Sequence, residues 1–338
     1  METNADSRVR QGNRVLWMDV LNIFSCISVV ILHTTNAPVH EWNGVTDMPY
    51  LWGLFTHTAF ICAVPTFIML SGANLLNRDM GVKEFFKRRF IRVGIPFLVW
   101  SIFYWLLLHI RVGIKEFWEL FLHGQMNPHM WFFIPLFSVY LSVPFMRVFL
   151  KHASRRLVEC YLLTALVLTS FLPFLYGSLE WFFPGYIFPM ACQYLFLAVL
   201  GYYLNTYEVK WSGRTIGLCY AAAFLFHFSY LLTKTQCLGH SDNTILHYET
   251  PSIALMSACL FLAFKQASWN RLKPRAGIVM QVAACSFGVY LIHYIFVNWL
   301  PAISPVLKNC YWEFIPVYLL SFIVTWILKK IPVVRKCV

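Results

Sequence analysis

The sequence predicts an all-α protein: a polytopic integral membrane helical bundle of about ten transmembrane helices, with both termini cytoplasmic. Three observations lead there. Of 338 residues, 59% are hydrophobic and only 12% charged, against about 25% charged in an ordinary soluble domain. The apolar residues gather in runs, most of them about 20 residues long, the length a helix needs to cross a bilayer. Lys and Arg crowd into alternate loops, as the positive-inside rule requires.

The runs cover roughly 15–35, 54–76, 92–110, 130–149, 158–176, 186–204, 214–233, 251–265, 279–299 and 312–329, the eighth being the shortest. Residues 1–14 read as a cytoplasmic tail, 15–330 as a single ten-helix domain and 331–338 as a second cytoplasmic tail. The first run is followed by no small-residue cleavage site, and Asp19 and Asn22 interrupt it, so it reads as an uncleaved helix. With the N-terminus inside, twenty-three of the 27 Lys and Arg face the cytoplasm and only Arg111, Lys115, Lys234 and Lys308 face out. Trp42, Trp52, Trp118, Trp181 and Trp299 fall at the outer edges, as an aromatic belt does. The protein is therefore expected in the cell (plasma or inner) membrane as a multi-pass chain whose partner is the lipid bilayer. Its formal charge of +12 reads as topology rather than nucleic-acid binding. Ten cysteines show no C-x-x-C pair and no metal-ligand spacing, so no metal is expected. Cys237 and Cys310 both map outside, which leaves their pairing open.

Polar residues inside the spans carry the chemistry. In the first run Asp19, Asn22, Cys26 and His33 fall within about 60° of one another at 100° per residue. Asn22 and His33 are about 16 Å apart along the axis, so they form a polar line rather than a dyad. Ionisable groups in a membrane are costly and face a cavity or the bundle interior. The packing reading places Asp19 at the interface and lets His33 snorkel. His33, His57, His129, His227 and His293 all map to the outer half or outer ends of their spans. Arginines inside and histidines outside suggest anion handling on one side and proton transfer on the other.

Four further segments stand out. KEFFKRRFIRVGIP, leading into the third span, sets Arg88, Arg89 and Arg92 on neighbouring helical positions. Guanidinium groups bind phosphate bidentately, although a basic juxtamembrane run also fixes topology. PTFIMLSGANLL ends the second span with Ser71-Gly72, a small pair that permits close helix approach. PHMWFFIP opens the fourth with His129 and Trp131. CSFGVYLIHY places Tyr290 and His293 one turn apart in the ninth.

Together these segments resemble acyltransferase family 3, and within it the small inner-membrane O-acetyltransferases without a soluble domain. Five patterns recur in the same order over nearly the whole chain: Asp19 to His33; Ser71-Gly72; Arg88, Arg89 and Arg92 before Pro96; His129 to Phe132; and Ser286 to His293. The resemblance implies cytoplasmic acetyl-CoA as donor substrate and a glycan or lipid-linked sugar as acceptor. It makes His33 the catalytic histidine, with Asp19 and His293 beside it as catalytic candidates. Arg88, Arg89, Arg92, Asn22 and Ser71 become donor-binding candidates, and His129, Trp131 and Tyr290 acceptor-side candidates. One position departs: where the family has Arg eleven residues before the histidine, this chain has Asn22, which hydrogen-bonds but carries no charge.

The residues agree in direction with this. Acyl transfer to a hydroxyl needs a base, for which His is the usual choice. No serine nucleophile elbow is present, which favours direct transfer; Cys26 keeps a covalent route open. The rival readings are a transporter or exporter of a small solute or lipid-linked molecule, and a non-catalytic binding partner.

Overall fold

The structure of the protein, a computed structural model, describes residues 10–11, 14–35, 39, 42, 44–108, 113–179, 193–240, 248, 250–304 and 311–338. Apart from a two-residue antiparallel pairing of Arg10–Gln11 with Arg14–Val15, the regular structure among the described residues is helical. Seven segments are long and apolar enough to cross a membrane: Leu16–Thr35, Met48–Leu75, Val82–Leu108, Pro128–His152, Arg155–Ser178, Gly213–Leu238 and Asn270–Ile303. Pro251–Gln266 and Phe314–Leu328 are apolar but shorter. Sixteen residues rise about 24 Å at about 1.5 Å each, less than the hydrocarbon thickness of about 30 Å. The helix at the expected sixth run, Gln193–Thr206, has 14 residues, and the beginning of that run lies outside the described residues.

Two expected boundaries shift, each for a local reason. The second run begins at Met48 rather than 54 because the Asp47 side chain accepts the Tyr50 N–H at 3.0 Å and Pro49 sits in the first turn. It is two helices, α2 (Met48–Phe60) and α3 (Ala63–Leu75), after α1 (Leu16–Thr35). The turn at Ile61 and Cys62 relieves the clash Pro65 would make with the carbonyl four residues back. The third run begins at Val82 rather than 92. Its basic part is helix α4 (Val82–Arg89), joined to α5 (Ile95–Leu108) by a π-helical turn, Phe90–Gly94, in which the Ile95 N–H bonds the Phe90 carbonyl. Pro96 follows directly, and the π turn is the register shift that a missing N–H demands.

The chain continues through α6 (Ile114–Leu122), a 3-10 turn at Pro128–Phe132, and α7 (Phe133–His152). Next come α8 (Arg155–Leu166) and α9 (Leu172–Ser178), again separated by a π turn (Val167–Phe171) just before a proline, Pro173. Helices α10 (Gln193–Thr206), α11 (Gly213–Leu238), α12 (Pro251–Gln266), α13 (Ala276–Ile303) and α14 (Phe314–Leu328) complete it.

These elements form two compact units, Met1–Asn77 with Phe149–Ala284, and Arg78–Val148 with Cys285–Val338. In the first, α3 packs on α10 while α1 packs on α2, α3 and α12, and α11 on α12. The α3–α10 contact is backbone to backbone: a Cβ on Gly72 would run into the Ala198 carbonyl, and one on Gly201 into the Met69 carbonyl. Gly72 thus does what the small pair suggested. In the second unit Phe97 of α5 touches Phe121, Phe133 and Phe137, with ring centroids 4.9–5.4 Å apart. The Tyr104 hydroxyl donates to the Leu291 carbonyl at 2.6 Å, and the Trp100 indole N–H to the Cys337 carbonyl at 2.8 Å.

Backbone cannot yield as a side-chain tip can, so Gly72→Ala and Gly201→Ala are each expected to cost at least the about 1–3 kcal/mol of ordinary overpacking. The thermal midpoint of the purified protein should fall for both and hold for Gly217→Ala, whose added methyl meets nothing within 4 Å. Equal midpoints for all three variants would rule the close α3–α10 contact out.

Candidate functional site

One concentration of chemistry lies around α4 in the second unit. Phe85 is the buried residue of that helix. The Arg147 guanidinium, from α7, sits 4.8 Å from the Phe85 ring centroid and donates to the Met80 carbonyl at 3.2 Å. Arg89 lies 6.0 Å from the same ring and 5.7 Å from that of Tyr140. Guanidinium over an aromatic face is favourable, more so when desolvated, which allows two like charges to share one ring. Arg88 pairs with Glu84 at 2.5 Å, both about half exposed, so this ion pair adds little stability. Arg92 is exposed on the π turn. Arg78, in the connection before α4, is held below the usual arginine range by desolvation and then by the charges of Arg89, Arg92 and Arg88. The structure thus brings Arg88, Arg89 and Arg92 together and adds Arg78 and Arg147. In the sequence those two looked like topological charges, and their convergence leaves no local pattern.

The same unit holds a second concentration. Pro128 opens the 3-10 turn, and Asn127 precedes it in extended conformation; together they turn His129 inward, where it is buried. Its Nδ1 meets the Asn127 Oδ1 at 2.9 Å. Four rings surround the imidazole: Tyr104, Tyr290 and Tyr294 at 5.4 Å and His293 at 5.1 Å between centroids. Tyr290, His293 and Tyr294 stand three and four residues apart, on one face of α13. The Tyr290 hydroxyl donates to the His129 carbonyl. His293 is fully buried, with Nδ1 2.7 Å from the Tyr290 carbonyl. A carbonyl only accepts, so that nitrogen carries a proton, and in the neutral ring Nε2 holds the lone pair. Three of the expected residues, His129, Tyr290 and His293, therefore meet. Trp131 is half-buried in the same turn, its ring 6.1 Å from that of Phe132.

In the first unit, Asp19 and Cys26 of α1 are buried, and His33 is half-buried in its last turn. Asp19 and His33 are about 21 Å apart along α1 and cannot act as a pair. The Asn22 amide donates to the Ala283 carbonyl at 3.1 Å. Ser71 is half-buried beside Gly72. A pairing that the sequence does not show is His57 with His227, both buried, with parallel rings 6.5 Å apart and His227 Nδ1 2.9 Å from the Ser252 hydroxyl. Among the described residues no three His, Cys, Asp or Glu side chains converge as metal ligands. Cys310 lies outside the described residues, and with it the pairing to Cys237.

A family model described as an acyltransferase domain matches residues 15–330. Comparison with curated proteins and with solved structures returns no match.

The His293 geometry is open to direct measurement. Nitrogen-15 NMR of histidine-labelled protein, assigned by loss of the signal in His293→Gln, should show the neutral ring protonated on Nδ1. A neutral ring protonated on Nε2 would mean that the bond to Tyr290 is absent.

Proposed function

We propose that this chain, which belongs to that acyltransferase family, moves an acetyl group from cytoplasmic acetyl-CoA to a hydroxyl of a cell-envelope glycan or lipid-linked sugar. It does so as a ten-span protein of the plasma or inner membrane with both termini in the cytoplasm. The observation that carries the donor half is the arginine concentration of Arg78, Arg88, Arg89, Arg92 and Arg147, with Asp79 and Glu84 as the acids beside it. That surplus of positive charge suits a ligand with several phosphates, and coenzyme A is one.

His33 is the general base. It is half-buried at the end of α1, whereas His293 is enclosed among tyrosine rings. In direct transfer the His33 imidazole takes the proton of the acceptor hydroxyl as its oxygen attacks the thioester carbonyl. The carbon–sulfur bond then breaks, an ester remains on the acceptor, and the proton passes to the coenzyme A thiolate. No net proton is consumed. His129, Trp131 and Tyr290 lie on the acceptor side.

General-base removal costs about 10² to 10⁴ in rate, so His33→Ala should lose acetyl transfer by that order while still binding acetyl-CoA. His293→Ala should slow it only a few-fold; a reversed pattern moves the base to His293. Arg89→Ala and Arg92→Ala should weaken acetyl-CoA binding about tenfold to a hundredfold, the worth of one charge-assisted contact. A folded wild-type protein that neither binds acetyl-CoA nor releases coenzyme A would leave the transporter reading in possession.

The topology follows from the charge bias. In a cysteine-free background, a membrane-impermeant maleimide applied to sealed cells should label Glu116→Cys and leave Asn270→Cys untouched. Labelling at Asn270 would invert the arrangement.

A further inference from the structure

We infer that Arg78, Arg89 and Arg147 form an anion subsite of their own in the second unit, and that it holds a phosphomonoester, the 3′-phosphate of coenzyme A. The inference rests on the reading of acetyl-CoA as donor and adds which arginines hold which charge.

Positive-inside topology needs basic residues near the inner surface; it does not need them to converge. Here Arg147, from the far end of α7, is brought onto the same Phe85 ring as Arg89, and the Tyr140 ring lies 5.7 Å from Arg89 as well. Arg78 lies near enough for the charges of Arg89, Arg92 and Arg88 to act on it, and Arg147 in turn feels Arg78 and Arg89. Close like charges raise the energy of the empty site. They persist because the aromatic faces and the Met80 carbonyl hold the guanidinium planes in place.

The acids nearby offset the group only in part. Glu84 is engaged by Arg88 on the exposed face of α4, and Asp79 is the carboxylate that acts on Arg147. The buried Nε of Arg89 has no hydrogen-bond partner among the described residues, and a buried donor left unmade is costly. A tetrahedral phosphomonoester carries close to two charges near neutral pH and three strong acceptor oxygens. That matches three planar donors arriving from two helices and a connection. The exposed Arg88 and Arg92 are left to the diphosphate, which carries its charges along a chain.

Phosphate could reach this subsite from the donor or from an anionic lipid headgroup, and the test separates the two. The purified full-length protein is placed in nanodiscs of phosphatidylcholine and titrated calorimetrically with acetyl-CoA and with its 3′-dephospho analogue. The wild type is expected to prefer acetyl-CoA about tenfold to a hundredfold. Arg147→Gln should bind both compounds alike, at the level of wild type with the analogue, and Arg147→Lys should keep part of the preference. One-third phosphatidylglycerol in the disc should leave the wild-type preference within a few-fold. Equal binding of the two compounds by the wild type overturns the subsite and leaves acetyl-CoA as donor. A preference that survives in Arg147→Gln, or one that phosphatidylglycerol abolishes, overturns it too. Binding of neither compound removes the donor reading, and the subsite with it.

Discussion

Hydrocarbon offers a backbone no water to bond with, and that constraint shapes almost every feature described above. Each turn of a spanning helix has to satisfy its own N–H and C=O groups. Polar side chains within it have to be folded back or partnered. Many hydroxyls take the first course: Ser28, Thr35, Thr58, Thr66, Ser257, Ser321 and Thr325 each donate to the carbonyl four residues behind. Two of the prolines obey the same rule. Where Pro96 and Pro173 remove an N–H, the preceding residues wind into a π turn, so the break falls where a wider register absorbs it.

Imidazoles and guanidiniums are too large, and too polar at their tips, to be folded back in this way. The second unit provides for them with rings. Tyrosines enclose His129 and His293 and spend their own hydroxyls on backbone carbonyls, as Tyr104 does on Leu291 and Tyr290 on His129. Phe85 and Tyr140 do the equivalent for Arg89 and Arg147 through their π faces. The two groups stand on shared elements: α5 carries Tyr104 and follows directly from the π turn that carries Arg92. About 18 Å of helix separates those two positions at about 1.5 Å per residue. One continuous helical segment therefore sets the span between the arginine group and the histidine–tyrosine group.

The helical class and the apolar runs were legible because hydropathy is a property of contiguous residues. The boundaries at Met48 and Val82 were not, because a capping Asp47 and a helical basic segment extend helices beyond their apolar parts. The local motifs around Arg88, His129 and His293 were legible for the same reason as the runs. Their convergence was not. Arg147 reaches Phe85, His293 reaches His129, and His57 stacks on His227 across stretches of chain that no periodicity links. Arg147 and Arg78 were hidden in a second way, since the positive-inside rule already accounted for a charge at each position. Of the loops expected outside, 36–51 and 235–250 lie partly outside the described residues, and α6 lies within the described part of 110–128.

The asparagine at position 22 fits into this division of labour. An arginine there would stand one turn from Asp19 and bring a cation to the polar face of α1. Asn22 instead donates its amide to the Ala283 carbonyl, which satisfies the group and fixes α1 against the start of α13 without adding charge. Asp19 is then the acid on that face, buried in the first turn of α1. A carboxylate beside a neutral amide does not attract phosphate. The arginine concentration lies elsewhere, in the second unit, where Arg78 and Arg147 join the three of the motif. Positive charge therefore concentrates around Phe85 and Tyr140 in the second unit, while the polar face of α1 sets a carboxylate beside an amide that is spent on a backbone carbonyl.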